Sequence, residues 1–334
     1  MTASNKWVIG VENEKRKIGV FTTEYSLMLY MLWCEDWKET IYIIKGRVGI
    51  DILKRMIAVG VQHIYGYRLA KLDALIVSKK QIFLHLKRKI SKLIFKRIHL
   101  PYLARIAYKN HWGVFGQDHF EYAYLFRKCN FCVVEDGAAN YEDKSAIVLE
   151  QQKLHQIKDV KYIPFGWDAS VKRVLLTGRL PIPAGLRNKV EIHPLIKAWQ
   201  ELDISAQKNI MYILGYPLDK MESLRQDGRD IFLITQNYAP FSCTKEKLVS
   251  IYKKILSNYD QNKVIIKPHP GDHVIDFERE FPRCAVMREK FPFEIVFFSG
   301  FPVNKIVTID STAAFGLWDD SHVDMYREYA AMMR

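Results

Sequence analysis

The chain reads as an α/β protein made of two Rossmann-like halves, each a parallel sheet covered by helices. Three observations predict this. Strand-like and helix-like segments alternate along both halves, the pattern that wraps helices around parallel strands. Several apolar, β-branched runs stop abruptly in polar residues, as strands do when they deliver side chains to a sheet edge. At 334 residues and a hydrophobic fraction of 49%, the chain can fill two cores of ordinary size.

The elements follow in order. Lys17 to Phe21 reads as a strand, Ser26 to Trp33 as a helix, Ile41 to Ile44 as a strand and Ile50 to Val59 as a helix. His111 to His119 and the run Phe131-Cys132-Val133-Val134 continue the alternation. Turn formers then cluster at Pro164-Phe165-Gly166-Trp167 and at Pro181-Ile182-Pro183-Ala184-Gly185. A domain boundary is expected there, giving a first domain over 1–165 and a second over 166–334. Ile210 to Leu214 is expected to reopen the strand pattern. Ile231 to Thr235, a helix over Thr244 to Leu256, the strand Val264 to Lys267, a helix-poor stretch to Phe298 and the strand Lys305 to Ile309 complete it. No internal repeat, Walker phosphate loop or G-x-G-x-x-G fingerprint occurs, which argues against an NTPase or an ordinary nicotinamide dehydrogenase.

No segment reaches the ~18 uninterrupted apolar residues of a membrane span, and Met1 to Gly10 lacks the apolar core of a signal peptide. Cytoplasmic residence is the expectation. Five cysteines at irregular spacing imply reduced thiols, and the Cys129/Cys132 pair, with no further Cys/His cluster to complete a metal site, is expected in the core.

The net charge of +13, from 50 Lys and Arg against 37 Asp and Glu, predicts an anionic partner: nucleic acid, a membrane surface or a phosphorylated small molecule. The surplus concentrates at Lys79-Lys80 and from Lys87 to Arg97. There Leu86, Ile90, Leu93 and Ile94 fall at helical spacing and leave Lys87, Arg88, Lys92 and Lys96 on other faces. A basic amphipathic helix follows. It either docks on its own domain with a solvated lysine face, or lies on anionic lipid.

Three strand ends carry candidate chemistry. Val264-Ile265-Ile266-Lys267 runs into Pro268-His269-Pro270, where the two prolines restrict the backbone on either side of His269. Val134 runs into Glu135-Asp136-Gly137, and Ile309 into Asp310-Ser311-Thr312-Ala313-Ala314. In open α/β sheets, the carboxyl edge of the strands is where ligands bind. His269, with an ordinary pKa of about 6.5, suits proton transfer or hydrogen bonding to a leaving oxygen. Lys267, two residues earlier, is either its companion or an ordinary strand-edge lysine. Ser311, Thr312 and the N–H groups after them suit an anionic oxygen, or serve as a helix N-cap. Glu135-Asp136 reads as a turn or as a general base, the adjacent carboxylates raising one pKa. A base for an acceptor hydroxyl, a partner for a leaving phosphate and hydroxyls for that phosphate suit glycosyl transfer from a nucleotide-activated donor. This set requires no metal, and Asp-x-Asp is absent from these strand ends.

On these residues the chain resembles the bacterial sialyltransferases of glycosyltransferase family 52, which are similar to the multifunctional bacterial sialyltransferases and the bacterial polysialyltransferases. Those groups carry an acidic-acidic-Gly motif, a His-Pro motif and a Ser-Ser or Ser-Thr motif, matched here by Glu135-Asp136-Gly137, His269-Pro270 and Ser311-Thr312, with Ser311 42 positions after His269. Phe291-Pro292-Phe293-Glu294-Ile295 resembles the family segment whose glutamate contacts the cytidine ribose. Gly116-Gln117-Asp118-His119 and Thr235-Gln236 agree further. The family's acidic residue after the Thr-Gln strand is missing, since Asn237 to Cys243 has no carboxylate. The base therefore moves to Glu135 or Asp136.

The resemblance implies a GT-B fold with its active site in the cleft between two Rossmann-like domains. It implies a CMP-sialic acid donor as co-substrate, no cofactor, and inversion without metal. The acceptor is a galactose-terminated glycan, with an α-2,3 linkage, in lipooligosaccharide or capsule synthesis. It implies catalytic His269 with Glu135 or Asp136, donor contacts from Lys267, Pro270, Glu294, Ser311 and Thr312, and acceptor-side Gln117, Asp118 and Gly137. A homodimer goes with it, and the basic stretch Lys79 to Arg97 separately suggests a peripheral position on the inner face of an anionic membrane. The competing readings are another GT-B sugar-nucleotide enzyme, such as a different ulosonic acid transferase or an epimerase, and a non-catalytic basic protein binding nucleic acid or membrane. The Lys79 to Arg97 stretch buries one apolar face and comes with no nucleic-acid motif, so nucleic acid is not the expected partner.

Overall fold

The structure is a computed structural model that describes residues 16–44, 48–65, 82–120, 122–154, 162–236, 243–269, 271–272, 275–311, 313 and 316–333. The chain divides into two units, Met1–Leu214 and Gly215–Arg334.

The first unit is built on a seven-stranded, wholly parallel sheet: β1 (Lys17–Phe21), β2 (Ile41–Ile44), β3 (Ile64–Tyr65), β4 (Gly113–Gly116), β5 (Asn130–Val134), β6 (Arg173–Leu176) and β7 (Val190–Ile192). Its order is β3-β2-β1-β4-β5-β6-β7, so the chain reverses direction across the sheet between β1 and β4. β1 and β2 are buried at every position, as expected of parallel strands covered on both faces. The helices are α1 (Glu24–Trp33), α2 (Ile50–Ala58), α3 (Ile82–Ile94), α4 (Leu100–Lys109), α5 (Ser145–Leu154), α6 (Leu195–Gln200) and α7 (Ile204–Leu214), with a π-helical segment Phe95–His99 joining α3 to α4. α1 is apolar nearly all round and buried from Ser26 to Trp33, which makes it a central covering helix.

Two expectations are corrected here. Ile210 to Leu214 belongs to helix α7, because Ile210, Ile213 and Leu214 recur at spacings of three and four and are the residues buried. The boundary expected at 165/166 lies instead at 214/215. β6 pairs with β5 and β7 with β6, completing the first sheet, and Pro164 to Trp167 is a tight turn inside this unit. Turn formers mark a reversal of the chain, whether or not a domain ends there.

The second unit is a five-stranded parallel sheet of β8 (Ile231–Ile234), β9 (Val264–Lys267), β10 (Ala285–Val286), β11 (Lys305–Thr308) and β12 (Val323–Met325), in the order β10-β9-β8-β11-β12. Helices α8 (Leu218–Gln226), α9 (Lys245–Leu256), α10 (Phe277–Glu280), α11 (Glu294–Phe298) and α12 (Arg327–Met333) accompany it. α9 starts where the sequence places it, at an N-cap formed by Thr244, whose hydroxyl accepts the Lys247 N–H. Its apolar stripe, Leu248, Tyr252 and Ile255, packs with Val264, Ile266 and Phe277 in the core of this unit. Here the reversal falls between β8 and β11. Each unit thus has the 3-2-1-4-5 strand order of a doubly wound fold, with a ligand-binding crevice expected at the carboxyl ends near the reversal.

Candidate active site

In the first unit, the reversal point is framed by the ends of β1, β4 and β5. Gly116 closes β4 with φ +138°, and a Cβ there would stand 2.0 Å from the Val20 carbonyl oxygen, so only glycine fits. Gln117 follows, fully buried. Its Oε1 accepts the Thr22 backbone N–H and, at 2.7 Å, the Thr22 hydroxyl, while its Nε2 donates to Thr23 Oγ1. This clamp fixes the start of α1. Asp118 turns the other way, accepting the backbone N–H groups of Phe165 and Gly166, both at 2.8 Å, and the Tyr162 hydroxyl at 3.0 Å. Burial pushes its carboxyl up from the ordinary range, and the two backbone N–H groups oppose that. Phe165, at φ +66°, is held in the left-handed region by this grip. Its ring packs against His119, tilted by 32°, with centroids 4.7 Å apart. Gln117 and Asp118 thus tie β4 to the start of α1 and to the Phe165 turn that carries the ring packed against His119.

Glu135 and Asp136 are adjacent in sequence and differ sharply in surroundings. Glu135 has no exposed side-chain surface. Its Oε1 accepts from the Tyr25 hydroxyl at 2.8 Å and stands 3.2 Å from Arg179 Nε; its Oε2 accepts from the Tyr141 hydroxyl at 2.7 Å and from the Thr177 N–H and hydroxyl at 2.6 and 2.8 Å. All the acceptor capacity such a carboxylate normally uses is taken up. Asp136 keeps 15% of its side chain exposed. Its Oδ1 accepts from Thr23 at 2.6 Å and Ser26 at 3.1 Å, at the first turn of α1, and its Oδ2 faces His119 Nε2 at 3.3 Å. The chain leaves this pair through Gly137 at φ +120°.

The second unit presents His269 beyond β9. Its backbone N–H donates to Thr235 Oγ1 at 2.9 Å, at the end of the neighbouring β8. Its Nδ1 accepts the Gly271 N–H at 3.0 Å. A ring nitrogen that accepts carries no proton, so this network assigns the ring proton to Nε2 and makes that atom the donor. On β11, Thr308 donates to the Ile234 carbonyl and accepts the Ser311 N–H at 3.1 Å, and Ser311 Oγ in turn accepts the Ala313 N–H at 3.4 Å. Lys267 is buried; its Nζ donates to the Glu289 carbonyl and lies 4.4 Å from the centre of the Phe291 ring. Glu294 opens α11 and is 3% exposed. Pro270, Thr312, Ala314 and Asn237 to Ser242 lie outside the described residues, as do Lys79 and Lys80.

A cavity of about 330 Å3 in the first unit, lined by Trp33, Trp37, His193 and Lys197 among others, contains none of these groups. It adjoins the carboxyl end of α1, whereas Asp136 is held at the amino end.

A model of glycosyltransferase family 52 matches residues 73–327, which include all three strand-end motifs. The chain belongs to glycosyltransferase family 52. An uncharacterised protein of Haemophilus influenzae is 33% identical to this family 52 chain over 215 residues, covering 64% of it and 67% of the relative. Among solved structures, the GT-B domain of a Photobacterium damselae sialyltransferase superposes with a TM-score of 0.56 at 14% identity, covering 92% of this chain and 89% of that one. A 2,6-sialyltransferase of Photobacterium sp. JT-ISH-224, in a ternary complex with the donor product CMP and the acceptor lactose, superposes with a TM-score of 0.56 at 11% identity, covering 93% and 71%. At such identities the likeness is one of fold. The protein is a glycosyltransferase of GT-B fold.

His119 was part of a motif read from the sequence without a role, and Tyr25, Tyr141, Thr177 and Arg179 are site residues that the sequence did not point out. A signal existed for the last two: Arg173-Val174-Leu175-Leu176 runs into Thr177-Gly178-Arg179, the same apolar run ending in polar residues. Tyr25 and Tyr141 lie in a helix and a short turn, where nothing in the local pattern points to a carboxylate on β5.

Proposed function

We propose that this family 52 member transfers sialic acid from CMP-sialic acid to a hydroxyl of a galactose-terminated glycan, with Asp136 as the base and His269 Nε2 as the donor to the departing phosphate. The observation that carries the assignment is the contrast between the two carboxylates. Glu135 is buried and held by three side chains, one backbone N–H and Arg179, whereas Asp136 keeps exposed surface and an oxygen toward His119. A base must reach the proton it removes.

In this reading the acceptor hydroxyl oxygen attacks the anomeric carbon of sialic acid from the face opposite CMP. Its proton passes to Asp136, the bond from carbon to phosphate oxygen breaks, and the electron pair leaves with CMP. One displacement inverts the centre. With Nδ1 accepting the Gly271 N–H, Nε2–H is the donor left for the departing phosphate. Such a donor stabilises charge that develops only as the bond breaks. The Ser311 hydroxyl, with its oxygen accepting from Ala313, retains a hydrogen for the same phosphate. Glu294 and Thr312 are assigned to the donor by resemblance, as is the galactose 3-hydroxyl to the acceptor. The scheme uses no cofactor and no metal.

The test is CMP release from CMP-sialic acid in the presence of lactose, followed by the linkage of the product. Asp136→Asn is expected to lower turnover with donor affinity little changed. Unaltered turnover would remove Asp136 from the chemistry.

A further inference from the structure

Between Asp73 and Asp118 the sequence holds ten Lys and Arg and no Asp or Glu. The described part of this stretch begins with a continuous helical run, α3, the π-helical segment and α4, from Ile82 to Lys109, ahead of β4. Its apolar face is not buried in its own unit. Leu86, Ile90, Leu93 and Ile94 are 53, 49, 52 and 40% exposed, and Ile98 and Tyr102 continue the exposed series at 60 and 67%.

At about 100° per residue, Leu86, Ile90, Leu93 and Ile94 span an arc of about 100°. Lys87 and Lys89 stand at its two margins and Lys92 beyond. Phe95, roughly on the opposite side, is buried and joins the core with Leu100, Leu103, Ala104 and Ala107. The helix thus rests on its unit through Phe95 and α4, and turns the Leu86 stripe outward between lysines. Of the two readings of the basic helix, the one that buries this stripe in its own domain is overturned.

We propose that this face docks on an anionic lipid bilayer, the stripe entering the boundary between headgroups and acyl chains while Lys87, Lys89 and Lys92 meet lipid phosphates. Charge selects this occupant. A second copy of the same face would bring two acid-free, lysine-rich helices together, whereas an anionic surface attracts every one of those charges. Among the described residues no helix is long and apolar enough to cross a membrane, so this contact would be peripheral. The inference rests on these side chains and is independent of the reaction proposed above.

The test is cosedimentation of the full chain with vesicles of phosphatidylcholine alone and of phosphatidylcholine with 30% phosphatidylglycerol. The wild type is expected to bind the anionic vesicles and to leave them as salt rises. Lys87→Gln/Lys89→Gln/Lys92→Gln should weaken partition by about 100-fold. Leu86→Gln/Ile90→Gln/Leu93→Gln should abolish the part that survives high salt. Both variants replace exposed residues, and an unchanged melting curve checks that each is folded. No vesicle binding by the wild type overturns the proposal, as does binding that the apolar triple variant leaves unchanged. A concentration-dependent dimer in sedimentation, lost in the apolar variant without any vesicle binding, would assign the face to a second copy and overturn it too.

Discussion

At the scale of single residues, neighbours on one loop have separate tasks set by their surroundings. Asp136→Asn keeps the shape and the hydrogen bonds from Thr23 and Ser26 but cannot take a proton, and turnover should fall by about 10²–10⁴. Glu135→Gln should act mainly on stability. Either amide orientation sets an N–H against a donor and removes the charge facing Arg179, so a loss of about 3–5 kcal/mol is expected in chemical denaturation. His269→Ala should cost about 10²–10³ in turnover as one lost donor. His269→Gln, whose amide can reach the Nε2 position, should recover part of that. Asp118 offers a pH signature. Its carboxyl is pushed up by burial, so the stability it contributes is fully present below the ordinary carboxylate pKa and is lost as pH rises through the raised one. The stability advantage of the wild type over Asp118→Asn, read by denaturant titration, should therefore narrow rather than widen between pH 3 and pH 6. The sequence could place Glu135, Asp136, His269 and Ser311 at strand ends because a β-branched run stopping at polar residues is a local signal. It could not separate Glu135 from Asp136, because that depends on Tyr25, Tyr141, Thr177 and Arg179, which come from three other segments.

At the scale of elements, the site depends on how strand ends are tied together. Thr235, just past the end of β8, holds the His269 backbone, so Thr235→Val should lower turnover by roughly fivefold, the factor that a lost hydrogen bond of about 1 kcal/mol gives. The readout is turnover at saturating donor with an unchanged circular dichroism spectrum. Gly137→Ala meets no neighbouring atom within 4 Å, yet its φ of +120° is closed to alanine. The expected cost is about 1–3 kcal/mol of backbone strain, together with a loss of activity as Asp136 shifts. Strands and helices with strong periodicity, such as Lys17–Phe21, Glu24–Trp33 and Lys245–Leu256, were legible directly. Ile210 to Leu214 was not, since five consecutive residues rich in apolar side chains satisfy a strand and a buried helix alike. The direction of the Leu86 stripe was also hidden: the wheel shows which residues share a face, while Phe95 and the residues packed with it decide which face is turned inward.

At the scale of the whole molecule, two parallel sheets with the same strand order place a carboxylate in one unit and a histidine donor in the other. The alternation of elements made this architecture legible, but the boundary was misplaced because β6 and β7 follow a cluster of turn residues and still pair onto the first sheet. The reaction as proposed needs no divalent cation, so a chelator should leave turnover unchanged, and CMP should compete with donor where UDP does not. The most direct measurement is lactose-dependent CMP release from CMP-sialic acid by wild type, Asp136→Asn, His269→Ala and Glu135→Gln, each also assayed for folding. Release is expected from the wild type, near-complete loss in the first two variants while they remain folded, and in the third a loss of stability greater than any loss of turnover at a temperature where it is folded. Release that survives in both Asp136→Asn and His269→Ala, or a wild type that neither releases nor binds CMP, would contradict the proposed reaction.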